Sequence, residues 1–366
     1  MLDIAMAGDI ILDEPDAFHW LSGIAPRLRE ADLSIAHLEV AHTDCAFEME
    51  GDVPGPGAPP ANLAALADAG IGMVSLAGNH IADCGAQGIA DTLAGLDAWG
   101  VLHAGAGMDL CAARRPALAT VKGCRIALLS YNCVGPEESW ANAGRAGCSY
   151  LPLATTDGTS VNPRADIVEI LPEALDILDR DITAIRDTAD MIIVALHKGI
   201  VHTPARLAPY ERPIAQAAIR LGADAVVSHH SHIVRGIEFH LGKPIFHGLG
   251  NGCVVTSALA PDQAHPARAE WAQRRKAMFG FEPDPAYTLA PFHPQAVNAF
   301  IGRLIVAEGG NIVAGLTPVH VEAPGRPVLA EGERARAIAE YVERITREAG
   351  LPPLVIDEEF CVREAA

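Results

Sequence analysis

Short runs of apolar residues recur along the chain, each closed by a polar or glycine-containing turn: Leu2–Ala7, Leu33–Ala36, Gly72–Ala77, Ile126–Ser130, Met191–Leu196, Ala225–Ser228 and Pro244–Phe246. Runs of this length, rich in Val, Ile and Leu, predict strands buried on both faces. Between them lie amphipathic segments of helical length at 16–31, 85–100 and 209–223, and a fourth with mixed charges at 331–350 that reads as a surface helix. Strands alternating with helices predict an α/β architecture. The Pro/Gly-rich stretch 51–63 reads as a rigid connection ending at a helix start.

Two stretches break the pattern. Residues 134–165 are polar and turn-rich, and 254–297 hold a basic, aromatic patch. Long irregular insertions in a compact domain serve as lids or binding loops. The predicted organisation is a single domain over 1–330, with insertions near 134–165 and 254–297, and a C-terminal helix and tail over 331–366 packed on it.

Composition narrows the function. A formal net charge of −19 and only four lysines, with no basic cluster, exclude nucleic acid as the expected partner. The start, MLDIAMAGDIILDEP, carries acidic residues where a secretory signal carries basic ones, and no window reaches the apolar length of a bilayer span. A cytoplasmic location is the expectation. The eight cysteines contain no CxxC pair, so neither a zinc ribbon nor a redox dithiol is indicated, and mostly buried, reduced thiols are expected.

The chemistry gathers at the strand ends. Asp9 follows the first run, His37 and Glu39 the second, Asn79 and His80 the third, His197 and Lys198 the run 191–196, and His229, His230 and His232 the run 225–228. In α/β sheets the residues beyond the strand carboxyl ends converge on one face. Singly, each ending has a plain alternative: Gly-Asn is an ordinary turn pair, and an aspartate after a strand is an ordinary helix cap. Together they point to a metal centre. His230 and His232, two residues apart, present imidazoles to one side.

The ordered set GD, HLE, GNH, ALHKG, HHSH and KPIFHGLGN, running from about residue 3 to about residue 252, resembles the capsule-synthesis (CapA, poly-γ-glutamate) family, related to the calcineurin-like metallophosphatases. The resemblance implies an α/β fold, a four-layer α/β/β/α metallophosphatase-like sandwich with inserted loops. By the same resemblance Asn79, His197 and His230 bind one metal, Asp9 and His232 the other, and Glu39 bridges both. His80 matches the histidine beside the metals that serves as general acid or transition-state stabiliser. The implied cofactor is one or two divalent ions, with Mn, Zn or Fe suited to carboxylate and imidazole donors. The chain departs from the related phosphatases at Ile11, where they carry a histidine, and at Glu39, where they carry an aspartate.

Other residues have candidate roles with open alternatives. Lys198 follows His197 and could act as a base or hold an anion at the mouth of the site, or be a solvated loop lysine. His202 shares its loop, and His37 could support Glu39 or belong to the core. Trp271, Arg274 and Arg275 combine rings and cations suited to a carboxylate-bearing, peptide-like substrate, or form one face of a packed helix. His247 and Asn251 could orient ligands or shape a glycine-rich turn.

Three functions follow. A metal-dependent hydrolase would act on an amide, γ-glutamyl or phosphoester bond of a small or peptide-like substrate. An epimerase, isomerase or lyase would abstract a proton beside a carbonyl, and a non-catalytic component of polymer biosynthesis would keep the metal for structure. The sequence leaves oligomerisation open.

Overall fold

The computed structural model describes residues 1–49, 55–260, 264–307 and 310–365; residues 51–54 of the predicted Pro/Gly connection lie outside them. Among the described residues, one sheet of eight strands runs in the order Arg326–Leu329, Ile312–Glu322, Asn298–Val306, Leu2–Leu12, Leu33–Leu38, Met73–Ser75 and Leu102–Ala104, with Asn251–Val255 also paired to the first strand. A second sheet of six runs Ile237–His240, Lys243–Phe246, Ala225–His229, Met191–His197, Cys124–Asn132 and Ala117–Val121. All the apolar runs predicted as strands are strands. The antiparallel pair Asn298–Val306 and Ile312–Glu322 extends the first sheet beyond them.

Side-chain alternation sorts these strands into layers. Leu2, Ile4, Met6, Leu33 and Ile35 on the first sheet meet Ile126, Leu128, Ile193, Ala195 and Val227 on the second, forming a core between the sheets. The opposite face of the first sheet packs Ala5, Ile10 and Leu12 on helical Leu21, Leu28, Leu66, Ile89 and Leu96. That of the second packs Ala127, Leu129 and Val194 on Leu178, Ile182, Ile214 and Ala218. The result is four layers, α/β/β/α, as the resemblance implies.

The predicted helix 16–31 is two helices, Ala17–Leu21 and Ala25–Glu30. Pro26 explains the break: without an N–H it cannot continue a helix, and it sits in the first turn of the second piece, where that N–H has no intrahelical partner. Helices Gly85–Ala98 and Glu211–Arg220 match their predicted segments. The C-terminal helix Gly332–Glu348 lays Ala339, Tyr341, Val342 and Ile345 on the core between the sheets, and Leu354–Ile356 and Val362–Glu364 pair behind it. All eight cysteines are unpaired thiols; four are buried, and Cys111 is exposed, so the thiols are less buried than expected.

Candidate metal centre

A bulge in the first strand decides where its aspartate points. Ile4 and Met6 face the inter-sheet core beside Leu33 and Ile35, but between Met6 and Asp9 the first strand advances three residues while its neighbour advances two. One extra residue reverses the face of every side chain that follows. Asp9 therefore joins the inner face beside His37, and Ile10 and Leu12 turn to the outer helices. Gly8 allows this, since a Cβ there would lie 1.8 Å from the carbonyl oxygen of Gly250.

The second strand places His37 and then Glu39 on the same inner face by simple alternation. From the opposing sheet come His197 at the end of its strand and, after Ala225–His229, the turn carrying His230 and His232 with φ of 90° and 51°. Such left-handed backbone is uncommon outside glycine and marks a position held by its surroundings.

The candidate ligands Asp9, Glu39, Asn79, His197, His230 and His232 are brought together. The His230 amide donates to Asp9 Oδ1 at 3.1 Å; Asn79 Oδ1 lies 2.8 Å from His197 Nε2, and His230 Nδ1 lies 3.1 Å from the same nitrogen. His232 Nε2 stands 3.2 Å from Glu39 Oε1 in an ion pair, and His232 Nδ1 is 2.9 Å from Asn251 Oδ1. Glu39 is fully buried, yet neither of its oxygens receives a well-directed hydrogen bond. His197 Nδ1 and His230 Nε2 are likewise buried without a partner. Unpaired groups of this kind cost about 1–3 kcal/mol each, and buried polar atoms left unmatched in a cluster fit an ion. One atom each from Asp9, Glu39 and His232 lie within 4.8 Å of one another, as do one each from Asp9, His37 and His197. The donor set is oxygen and imidazole, which fits Zn, Mn or Fe.

The electrostatics are those of interlocked charges. Burial, then repulsion from Glu39, pushes Asp9 up to about 7. Burial alone would raise Glu39 as well, but the His232 imidazole outweighs it and holds the carboxyl at about 2. Burial opposes the charge on His232, and Glu39 with Asp9 overcomes it, raising the imidazole to about 9. His230 is lowered to about 3, chiefly by burial.

His80 lies beside this cluster in sequence and is partly exposed. Its Nδ1 is 2.6 Å from Oδ2 of Asp83, a buried carboxylate that also accepts from the Gly55 amide. Asp83 is absent from the sequence-derived set; the spacing His80-x-x-Asp83 within one turn is the signal that could have found it.

Four residues need correction. Lys198 is not at a solvent-exposed mouth: its ammonium is fully buried, 3.1 Å from Glu211 Oε2 and 3.1 Å from His247 Nδ1, in a network that includes Arg235. Arg275 is buried and donates to the carbonyls of Pro291 and Leu259. Arg274 is exposed and pairs with Glu270, and Trp271 packs against Phe279 with Arg275 over its ring. The alternative of one face of a packed helix holds for this patch. His202, in contrast, does reach the site, 6.1 Å between centroids from His232, and is walled by Phe279, Phe281 and Phe292. The insertion 254–297 thus approaches the cluster with rings rather than cations.

A four-layer sandwich whose strand ends gather imidazoles and carboxylates between its sheets defines an α/β/β/α protein with a candidate metal centre. Within that class, the chain belongs to the bacterial capsule synthesis protein PGA_cap family, whose model matches residues 3–254. It is 35% identical over 198 residues to a "Probable polyglutamine synthesis accessory protein" of Mycobacterium tuberculosis, covering 52% of this chain and 47% of that protein. It is 26% identical over 191 residues to the capsule biosynthesis protein CapA of Bacillus anthracis, covering 51% and 41%. The chain spans about half the length of the curated relatives it matches. Among solved structures it is similar to the calcineurin-like phosphoesterase YfkN of Bacillus subtilis at 12% identity and a TM-score of 0.40, over 95% of this chain and 97% of that one.

Proposed function

We propose that this protein is a metal-dependent hydrolase acting on an amide or γ-glutamyl bond of a peptide-like substrate. The observation that carries the reading is the buried Glu39 carboxylate with no well-directed hydrogen bond, amid histidines whose ring nitrogens are also unpaired. Asp9, Glu39, Asn79, His197, His230 and His232 are the residues that would hold the ion or ions. A divalent ion here supplies polarisation of a carbonyl or phosphoryl oxygen and activation of water.

The chain's own part is proton delivery and orientation. With Nδ1–H donated to Asp83, the His80 ring is oriented so that, as the imidazolium, it delivers its Nε2 proton to the leaving nitrogen and is left as the neutral Nδ1–H tautomer. His202 and the Phe279, Phe281 and Phe292 rings beside His232 exclude water and bind the apolar stem of the substrate. Lys198 and Arg235 are held by Glu211, and Arg275 by backbone carbonyls, which favours a carbonyl group over a phosphate dianion. The names of the relatives, polyglutamine synthesis and capsule biosynthesis, support a glutamyl polymer or its fragments as the substrate.

The test is isotopic. Protein loaded with Mn or Zn is incubated with γ-glutamyl oligomers in H₂¹⁸O, and ¹⁸O in the new carboxylate is the expected result. Deuterium uptake at the α-carbon from D₂O, with no cleavage, would replace hydrolysis by proton abstraction. Intact metal content with neither exchange would leave the accessory role in polymer synthesis.

A further inference from the structure

His37 lies at an inner strand end close to a carboxylate of the cluster, yet outside the ligand set implied by resemblance. The parallel ladders place it in a row: Asp9 beside His37 on the neighbouring strand, and His37 beside Ser75 on the next. Partners across a parallel ladder project to the same face, so this row looks into the inter-sheet space at its carboxyl end. There the ring lies between those of His197 and His229, with centroids 4.5 and 4.9 Å away.

The two ring nitrogens differ. Nδ1 is 2.9 Å from Ser75 Oγ, whereas Nε2 is buried with no hydrogen-bond partner. A Cβ on Gly78 would lie 2.9 Å from this Nε2 and 3.3 Å from Cε1 of His197, so glycine keeps side-chain volume away from both rings. One atom each from Asp9, His37 and His197 fall within 4.8 Å of one another, and Asp9 is also the member common to the set with Glu39 and His232. An imidazole with one ring nitrogen on a hydroxyl and the other buried without a partner, close to a carboxylate and a second imidazole, can serve as a ligand when the hydroxyl accepts its N–H.

We infer that His37 is a metal ligand, closing a set with Asp9 and His197 beside the set of Asp9, Glu39 and His232. Asp9 is then shared by two ion positions. This rests on the metal-dependent reading above and departs from it in two respects. The carboxylate common to both positions is Asp9 rather than Glu39, and an imidazole on the neighbouring strand enters a centre whose first motif has Ile11 in place of a histidine. Ser75 is the positioning residue, since accepting the Nδ1 proton leaves the lone pair on Nε2.

The experiment is a Co²⁺ titration of the metal-free full chain, followed by visible absorption and by elemental analysis after gel filtration. Wild type takes up two ions. His37→Gln and Glu39→Gln each take up one, with different absorption bands because different positions survive. Ser75→Ala retains the imidazole and weakens one of the two ions about 10- to 100-fold. The urea midpoint of each metal-free variant separates loss of a ligand from loss of folding, and if His37→Gln does not fold, Ser75→Ala decides. His37→Gln binding two ions with the wild-type spectrum, or Ser75→Ala binding both with wild-type affinity, overturns the assignment. Saturation of wild type at one ion overturns the sharing of Asp9. No uptake at all overturns the metal-dependent reading itself, an outcome distinct from the others.

Discussion

His232 shows how a single residue couples the centre to pH. Raised to about 9 by Glu39 and Asp9, its imidazole is charged in the metal-free protein at neutral pH, yet only the neutral ring ligates. Metal uptake therefore expels a proton. Apparent affinity should rise with pH from about 6 to about 9, and calorimetry in buffers of different ionisation enthalpy should register the released proton. His80 makes a different prediction, because the proposed function gives it a part in the reaction and none in holding the ion. His80→Ala should lower kcat about 10²- to 10⁴-fold with metal content unchanged, while His230→Ala should lose metal and activity together. At this scale the sequence was informative about ligand types but not about Lys198. Its place one residue after His197 suggested the site, whereas neighbours along a strand project to opposite faces, and Lys198 meets Glu211 instead.

Elements supply the aim. The bulge between Met6 and Asp9 turns the aspartate inward, and it depends on close approach between Gly8 and the turn at Gly250. Gly8→Ala should push these backbones apart, destabilising the fold by about 3 kcal/mol or more in urea unfolding and lowering metal affinity as Asp9 moves. The helix Pro266–Phe279 has a similar dependence on Arg275, which ties it to the carbonyls of Leu259 and Pro291 and so keeps Phe279 at His202. Arg275→Ala should raise KM while kcat stays within about threefold, and protease nicking within 254–297 should increase. The sequence singled out this insertion but misread its cations. Arg275 is a long charged side chain buried in that insertion, and its two terminal nitrogens donate to backbone carbonyls rather than facing a ligand.

Across the whole molecule, histidines buried in neutral form set the acid limit of stability. His42 and His247 are lowered to about 4, in each case chiefly by burial, and His229 likewise. In the unfolded chain these rings take up protons near 6.5, while the folded protein resists until about 4. The unfolded state thus binds more protons in that window, and stability is lost as pH falls from about 6.5 to about 4. Urea midpoints across pH 4–7 should fall steeply on the acid side. Because His42 and His247 lie outside the proposed ligand set, the fall should persist in metal-loaded protein. Among the described residues no helix is long and apolar enough to cross a membrane. The amphipathic C-terminal helix instead lays Ala339, Val342 and Ile345 on the inter-sheet core, so deletion of 331–366 should uncover the apolar residues beneath, such as Ile237, Ala314 and Leu316, and yield an aggregating protein by size-exclusion chromatography.

The α/β class, the strand runs and the residue types of the centre were legible in the sequence, because periodicity and turn chemistry are local properties of the chain. Asp9, Glu39, Asn79, His197, His230 and His232 stood out as strand-end residues for the same reason, and the structure brings them together. What only the tertiary structure decided was which atoms meet. The bulge that turns Asp9 toward His37, the row from Asp9 through His37 to Ser75, and the diversion of Lys198 and Arg275 to buried partners all arise from register and packing between separate elements. Periodicity along the chain does not report those pairings, and in a strand a shift of one residue would exchange every inward side chain for an outward one.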